Sequence, residues 1–436
     1  MSTLSERDQQ VIWHPYTQMK TADQPLPIVR GKGAELFTED GTKYIDAVAS
    51  WWVNLHGHAH PYIAEKINEQ LLTLEHVIFA GFTHPPAVEV AERLLPILPD
   101  NQARIFYSDN GSTAVEIGIK MAKQYFFNQG VKRRKLVAFT EAFHGETFGA
   151  MSVSGDHDFN RAFEDDLFEV WRIPAPTSPE LAEKALKELE AHLKTGEVYA
   201  FIFEPLVLGA GGMLMYEPEV LDQLIACCHR HGVLCIADEV MTGFGRTGKY
   251  FASNYLKEQP DIMCLSKGLT GGTLPLAITT CSAKIFDAFW SNDKLKAFFH
   301  GHSYTANPVG CAAALASLDL LESDACQQDI ARIIEQHRQF RAKLLGHPAL
   351  VRVDQRGTIL ALEFATGEGT SYFNNLRDKL YYFFLDKGLL LRPLGNVIYI
   401  LPPYCISDDQ LTQVYTAIEE CLVWVSDELQ VGVNQP

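Results

Sequence analysis

Short apolar runs closed by glycines set the pattern of this chain. The clearest, VLCIADEV, follows Gly232 and precedes the glycines after Thr242. A run this short and this apolar reads as a buried strand. It ends in two carboxylates, Asp238 and Glu239. A second apolar run, Ile262 to Leu265, delivers Lys267 just past its end. Further strands are expected at 35–38, at 43–46 after the Asp40-Gly41 turn, in KLVAFTEA, at 200–206 and in PLAITTCS. The stretch IFYSDNGSTAVEIGIKMAKQYFF reads as strand, Gly-Ser turn and helix. Helical spacing predicts helices over 61–75, 86–95, 218–231, 308–322 and 327–345. An alternating strand pair follows, then a helix over 371–387 and a last helix capped by Ser407.

Strand and helix alternate through the middle of the chain. That order predicts an α/β fold with a doubly wound, mostly parallel sheet and helices on both faces. The tail reads as a smaller α+β unit. The expected division is a large domain over 61–319 and a small domain formed by both ends, 1–60 and 320–436.

In open α/β sheets, ligands bind at the carboxyl ends of the strands. Asp238 and Lys267 both stand there. A lysine at such a position, flanked by small residues, can form an imine with a carbonyl compound. A buried aspartate can hold a protonated pyridine nitrogen. Together they meet the needs of pyridoxal phosphate (PLP): a Schiff-base lysine and a carboxylate on the pyridinium. Taken singly, each would read as a strand cap and a solvated amine. Gly111 and Ser112 stand where a helix begins, and free N–H groups with a partial positive charge suit a phosphate there. Plain capping, by Ser108 or Asp109, is the alternative. Of the adjacent tryptophans in ASWWVNLHGHAHP, one is expected to line a cavity, because neighbours on a strand face opposite ways. His56, His58 and His60 alternate, but no carboxylate or cysteine joins them, so no metal site is expected.

A chain of 436 residues exceeds one ordinary core, and 47% hydrophobic residues suffice for two subdomains. The formal net charge of −17 argues against nucleic acid or an anionic membrane as partner. The one basic run, KRRK at 132–135, is expected to be a solvated turn before a strand. Nine cysteines without C-x-x-C spacing read as reduced, buried thiols. The start, MSTLSERDQQ, lacks an apolar signal region, and no apolar run approaches the roughly twenty residues of a membrane span. A soluble cytoplasmic protein is expected.

ADEVMTGFGRTGKYFA and PDIMCLSKGLTGGTLPLA resemble the class III (ornithine-type) PLP aminotransferases, and the likeness runs from HPYTQM to LLLRPLGNVIYILPPY. The resemblance implies the aspartate-aminotransferase-like fold (fold type I), PLP as cofactor, and a homodimer with active sites shared at the interface. It implies that Lys267 is the Schiff-base lysine and Asp238 the partner of the pyridine nitrogen. Gly111 and Ser112 would hold the phosphate and Phe143 would stack on the ring. Ser303 of HGHSYTANP, with His302 beside it, would reach the phosphate of the partner subunit's cofactor.

WHPYT, SWW, THPPAVEVAERL, FGAMSV and GAGGM resemble the branch that aminates 8-amino-7-oxononanoate in biotin synthesis, usually with S-adenosylmethionine as donor. That branch implies Tyr16, Trp51, Phe143, Lys267, Gly301, Arg392 and Tyr399 at the substrate. Arg392 would bind the carboxylate, since a guanidinium fork meets it at two places. The chain departs from many members at Phe143, where they have Tyr, and at Glu146, where they have Asp. Another class III ω-amino acid aminotransferase, or a PLP-fold protein without catalysis, are the competing readings.

Overall fold

Seven short strands, nearly all buried on both faces, carry the centre of the molecule: β1 (Gln102–Ser108), β2 (Lys135–Phe139), β3 (Trp171–Ile173), β4 (Val198–Phe203), β5 (Leu234–Asp238), β6 (Ile262–Leu265) and β7 (Ala277–Ser282). The computed structural model describes residues 3–155, 159–366 and 374–433. The strands run in the order β1-β7-β6-β5-β4-β2-β3. From β6 to β3 every pairing is parallel, while β7 is antiparallel to both β6 and β1. Leu234 and Ile236 of β5 enter one apolar layer, Cys235 and Ala237 the other. Burial on both faces is why these strands read as continuous apolar runs rather than as alternations.

Helix α1 (Gly111–Asn128) packs Ala114, Val115, Ile117 and Ala122 onto one face. It sits close, because a Cβ at Gly118 would lie 3.2 Å from Cys264 Sγ and 3.4 Å from Ile236 Cγ2. Helix α2 (Pro218–Arg230) sets Leu221, Leu224 and Ile225 into the other layer. Each such buried Leu or Ile contributes about 1.5–3 kcal/mol.

The two ends of the chain meet. Strands Ile28–Lys32, Glu35–Thr38 and Lys43–Asp46 form an antiparallel meander, and Leu389–Leu390 joins its edge in parallel, Leu389 opposite Ile45. Leu350–Arg356, Ile359–Phe364 and Val397–Ile400 make a separate antiparallel sheet. Ser407 caps the last helix, Asp408–Val433: its Oγ accepts from the Gln410 N–H at 3.2 Å and its own N–H donates to Gln410 Oε1 at 2.9 Å. Among the described residues no helix is long and apolar enough to cross a membrane.

Several local expectations are corrected. The SWW stretch is a kinked helical turn, Ala49–Trp52, with φ of 50° at Ala49, 60° at Ser50 and 68° at Trp52. Strand alternation therefore does not apply, and both tryptophans reach one cavity. The cap of α1 is Asn110, whose side chain accepts from the Thr113 N–H at 3.0 Å, not Ser108 or Asp109. The KRRK turn is not simply solvated: Arg133 donates to the carbonyls of Val198, Gly232 and His231, tying the start of β2 to its neighbours. The helix expected over 371–387 runs Leu376–Asp386, and 371–373 lie outside the described residues. Of the three alternating histidines, His56 and His60 pack edge-on with ring centroids 6.4 Å apart and His56 meets Ser317 Oγ at 3.1 Å, while His58 turns to Asp46 Oδ2 at 2.8 Å. All nine thiols are free, and all but Cys405 are buried.

Candidate active site

A cavity of about 650 Å³ opens where the carboxyl ends of the central strands converge. Asp238 closes β5, and Lys267 follows β6 by two residues. Glu204 follows β4, Phe143 and His144 lie in the loop after β2, and Gly111 and Ser112 open the helix after β1. All line this cavity, together with Trp51 and Trp52.

Lys267 begins a short 3₁₀ turn with φ of 45°, a left-handed conformation rare for a residue with a side chain. Such backbone is held by its surroundings and concentrates at functional sites. Ser266 Oγ anchors the turn by donating to the Leu276 carbonyl at 2.9 Å. The Lys267 ammonium nitrogen lies 4.6 Å from the centroid of the Trp52 ring. Desolvation pulls this amine down to about 8; Asp238 and Glu204 oppose the shift, and Arg246 adds to it. Near neutrality a useful share of Lys267 is thus uncharged and nucleophilic.

Asp238 is 5% exposed. Its Oδ2 lies 2.8 Å from His144 Nδ1, and its Oδ1 accepts from the Val240 N–H at 3.0 Å. The His144 N–H of the backbone donates to Ser154 Oγ at 2.8 Å, so the imidazole that orients Asp238 is itself held. His144 Nε2 is buried with no hydrogen-bond partner among the described residues. Glu204 accepts from the backbone N–H groups of Phe143 at 3.0 Å and Gly209 at 2.9 Å. Its burial pushes the carboxyl up to about 7. Glu239, the neighbour of Asp238, turns away and accepts from Thr242 Oγ1 and the Ala252 and Ser253 N–H groups. Of the two adjacent carboxylates, only Asp238 faces the cavity.

The first turn of α1 carries no acidic residue, so its free N–H groups keep their positive end uncompensated. Gly111 is required there: a Cβ would lie 2.8 Å from Val240 Cγ1. Ser112 Oγ accepts from the Glu146 N–H at 3.0 Å and keeps its own proton for a ligand. Phosphate donors at one end, a carboxylate at the other, a desolvated amine between them and apolar side chains of Phe143 and Val240 along the walls fit PLP in size and chemistry.

The remaining expected residues separate into two groups. Tyr16 and Arg392 do not line the cavity themselves but pack on Trp51, which does, at its mouth. The Arg392 guanidinium lies 4.2 Å from the Trp51 ring centroid, and the Tyr16 ring packs edge-on at 5.6 Å. Arg392 enters no ion pair among the described residues. The Tyr16 hydroxyl donates to Glu146, whose carboxyl is raised by desolvation. Tyr399 does not line the cavity: it is 1% exposed and its hydroxyl accepts from Trp52 Nε1–H at 2.9 Å. It stands behind a wall residue rather than in the wall. Gly301 and Ser303 are exposed and away from this cavity, and His302 is half-buried in the same turn, its Nδ1 accepting from the Tyr304 N–H.

Sequence reasoning missed Trp52, His144 and Glu204. Glu204 had a signal, since FIFE ends a strand in a carboxylate as CIAD does. His144 had only its place beside Phe143. Arg246, fully buried, was also missed; it donates to the carbonyls of Pro402 at 2.6 Å and Asn54 at 3.1 Å, joining the loop after β5 to both ends of the chain.

Known proteins resemble this chain in sequence and fold. Residues 16–422 match the family model of class-III aminotransferases. The adenosylmethionine-8-amino-7-oxononanoate aminotransferase of Synechococcus elongatus is 49% identical over 419 residues, 94% of this chain and 98% of its own length. The Geobacter sulfurreducens protein of the same name is 40% identical, covering 96% and 97%. The crystal structure of the Methanocaldococcus jannaschii protein of that name superposes with a TM-score of 0.90 at 37% identity, over 96% of this chain and 98% of that one. The ω-transaminase of Pseudomonas jessenii in complex with PMP reaches a TM-score of 0.92 at 27% identity, over 98% and 99%. With strand-end lysine and aspartate, helix-end glycine and serine, and a match over nearly its full length, the chain belongs to the class III aminotransferases.

Proposed function

We propose that this enzyme aminates 8-amino-7-oxononanoate to 7,8-diaminononanoate, in biotin synthesis, using PLP and S-adenosylmethionine as amino donor. One observation carries the choice of substrate. Arg392 is a guanidinium without an ion pair among the described residues, laid over Trp51, a residue that lines the lysine cavity. The keto acid carries its carboxylate at the far end of an apolar chain. Its reacting carbonyl would lie near Lys267, its chain along Trp51 and its carboxylate on Arg392. The relatives named for this reaction, up to 49% identical, support the same reading.

PLP, when bound, supplies an electron-withdrawing ring that stabilises negative charge at the carbon bearing the amine. The chain's residues do the rest. The N–H groups of Gly111 and Ser112 and the Ser112 hydroxyl bind the phosphate. Phe143 and Val240, both lining the cavity, would give the ring apolar contacts. Asp238, oriented by His144, keeps a proton on the ring nitrogen. The Lys267 amine, part neutral near pH 7, would take the proton from the amine carbon as base and, as acid, deliver it to the aldehyde-derived carbon of the cofactor. Trp52 over Lys267 and Trp51 at the mouth exclude water from this transfer. Donor and acceptor use the cavity in turn, which gives ping-pong kinetics.

A homodimer is part of the proposal. The loops around 76–82 and 299–307 touch, through the His76 and Tyr304 rings at 5.4 Å and the Asn307 side chain on the Glu75 carbonyl. They expose Ile78, Phe82, Phe299 and Tyr304, each at least 60% accessible. An apolar patch of that kind suits a second copy, and would place Gly301, His302 and Ser303 at the partner's phosphate and substrate. The division at 61–319, with 1–60 and 320–436 as the small domain, and a reducing cytoplasmic setting, supported by nine unpaired thiols, are proposed on the same footing. The net charge of −17 supports a small-molecule enzyme rather than a nucleic-acid binder.

The fold neighbours named ω-transaminases favour a second reading, in which an ω-amino acid passes its nitrogen to pyruvate. Following bound-cofactor absorbance in single half-reactions separates the two. Reoxidation of the amino form by 8-amino-7-oxononanoate, and not by pyruvate, is expected. The reverse preference overturns the proposal.

A further inference from the structure

At the opposite, amino-terminal edge of the same sheet lies a second cluster that the transamination does not use. His229 stands in the last turn of α2, Cys235 is the second residue of β5, and Asp261 directly precedes β6. Their ligand atoms all lie within 4.8 Å of one another. We propose that His229 Nε2, Cys235 Sγ and Asp261 Oδ2 form a binding site for a divalent cation of the zinc class, with water in the fourth position.

The donor set is an imidazole, a thiol and a carboxylate, the mixture that zinc takes and that magnesium or calcium does not. His229 Nε2 and Asp261 Oδ2 are 3.3 Å apart. Two ligands each about 2.0–2.1 Å from a tetrahedral zinc stand about 3.4 Å apart, so this pair already has the required spacing. The other imidazole nitrogen, Nδ1, lies 3.2 Å from Glu258 Oε2. That is the carboxylate–histidine–metal arrangement, in which an outer carboxylate fixes the ring and its tautomer. Glu258 is in turn placed by its own N–H on Asp222 Oδ1 at 2.9 Å.

The scaffold is rigid. The Asp261 N–H donates to the Cys235 carbonyl and the Cys235 N–H to Asp261 Oδ2, both at 2.9 Å. Cys235 and Asp261 are buried, while the His229 side chain is 34% exposed and leaves an entry path and room for water. In the absence of a cation, burial and the nearby Cys228, Asp261 and Glu258 all disfavour a Cys235 thiolate. A divalent cation reverses that balance. On binding, the Cys235 thiol proton and any proton on His229 Nε2 pass to solvent, the Nδ1 proton stays in its bond to Glu258, and no redox change is involved. The metal would clamp the end of α2 to the starts of β5 and β6, the strands whose far ends present Asp238 and Lys267.

The test uses the holoenzyme dialysed against buffered zinc, with the bound metal counted by elemental analysis. Stoichiometric zinc is expected in the wild-type chain, with loss in His229→Ala and in Cys235→Ala. Glu258→Gln should bind about 10–100-fold more weakly. Cobalt loaded in place of zinc should show a near-ultraviolet thiolate-to-cobalt band that Cys235→Ala lacks. Should Cys235→Ala fail to fold, the partly exposed His229→Ala decides. The same amount of zinc in His229→Ala as in the wild type, or none retained by the wild type, overturns the site and leaves only a histidine held between carboxylates.

Discussion

The floor and the mouth of the active-site cavity are built in different ways. The floor stands on adjacent strands: Asp238 is opposite Cys264 in the β5–β6 ladder, so the position of Lys267 relative to it is set by backbone hydrogen bonds. The mouth draws Tyr16, Trp51 and Arg392 from three distant stretches of chain, held by ring packing rather than by a ladder. Chemistry that must be placed to a fraction of an ångström sits on the rigid part. On the function proposed, substrate choice sits where side chains can change without disturbing it. Neighbours named ω-transaminases share the fold at 26–27% sequence identity.

Four variants and one titration can break or sharpen this contrast. The largest effect is expected at the floor. Lys267→Ala should lower kcat by at least about 10⁴-fold, the upper end for a positioned proton-transfer group, while circular dichroism stays native. Measurable steady turnover in that variant would remove Lys267 from the chemistry. Asp238→Asn should slow both half-reactions by about 10²–10³-fold, because an amide no longer favours a protonated ring nitrogen. Rapid single turnovers would show that Asp238 serves only the fold.

At the mouth the losses should be selective. Arg392→Ala removes a charge-assisted contact worth about 2–4 kcal/mol, or roughly thirty- to a thousand-fold in kcat/KM for the keto acid. The donor half-reaction should suffer less. Equal losses in both would place Arg392 outside substrate recognition.

The titration addresses the floor again. The Lys267 amine sits near 8, below its ordinary value. Below that pH it is protonated and cannot attack an aldehyde. Capture of added PLP by the cofactor-free chain should therefore slow about tenfold per pH unit as pH falls under 8, and level off above it. Stopped-flow absorbance across a pH series checks this, and a flat profile would contradict it. The smallest effect is expected from Tyr399→Phe. It loses the bond to Trp52 Nε1 and about 0.5–1.5 kcal/mol of stability, read by urea denaturation, with kcat/KM unchanged for both substrates. A selective rise in keto-acid KM would return Tyr399 to the substrate wall.

The amino-acid order by itself determined six of the seven central strands, because strands buried on both faces read as apolar runs with visible ends; the short edge strand Trp171–Ile173, with Arg172 at its centre, emerged only from its pairing with β2. It also determined the placement of Asp238 and Lys267 at strand ends and of Gly111 and Ser112 at a helix start, since each is a local feature of chain direction. The tertiary structure alone decided that Glu239 faces away while Asp238 faces in, because that depends on which backbone amides the loop at 252–253 brings to Glu239. It decided that Trp52 rather than Tyr399 meets Lys267, since a left-handed turn at 49–52 reverses the alternation expected of a strand. It brought Glu204 and His144 into the cavity and Arg392 onto Trp51, contacts made across the fold between residues whose spacing along the chain carries no periodic signal. Local patterning reports hydrogen-bond direction and burial within one element; which side chains meet depends on how elements pack, and that is settled only when the whole core closes.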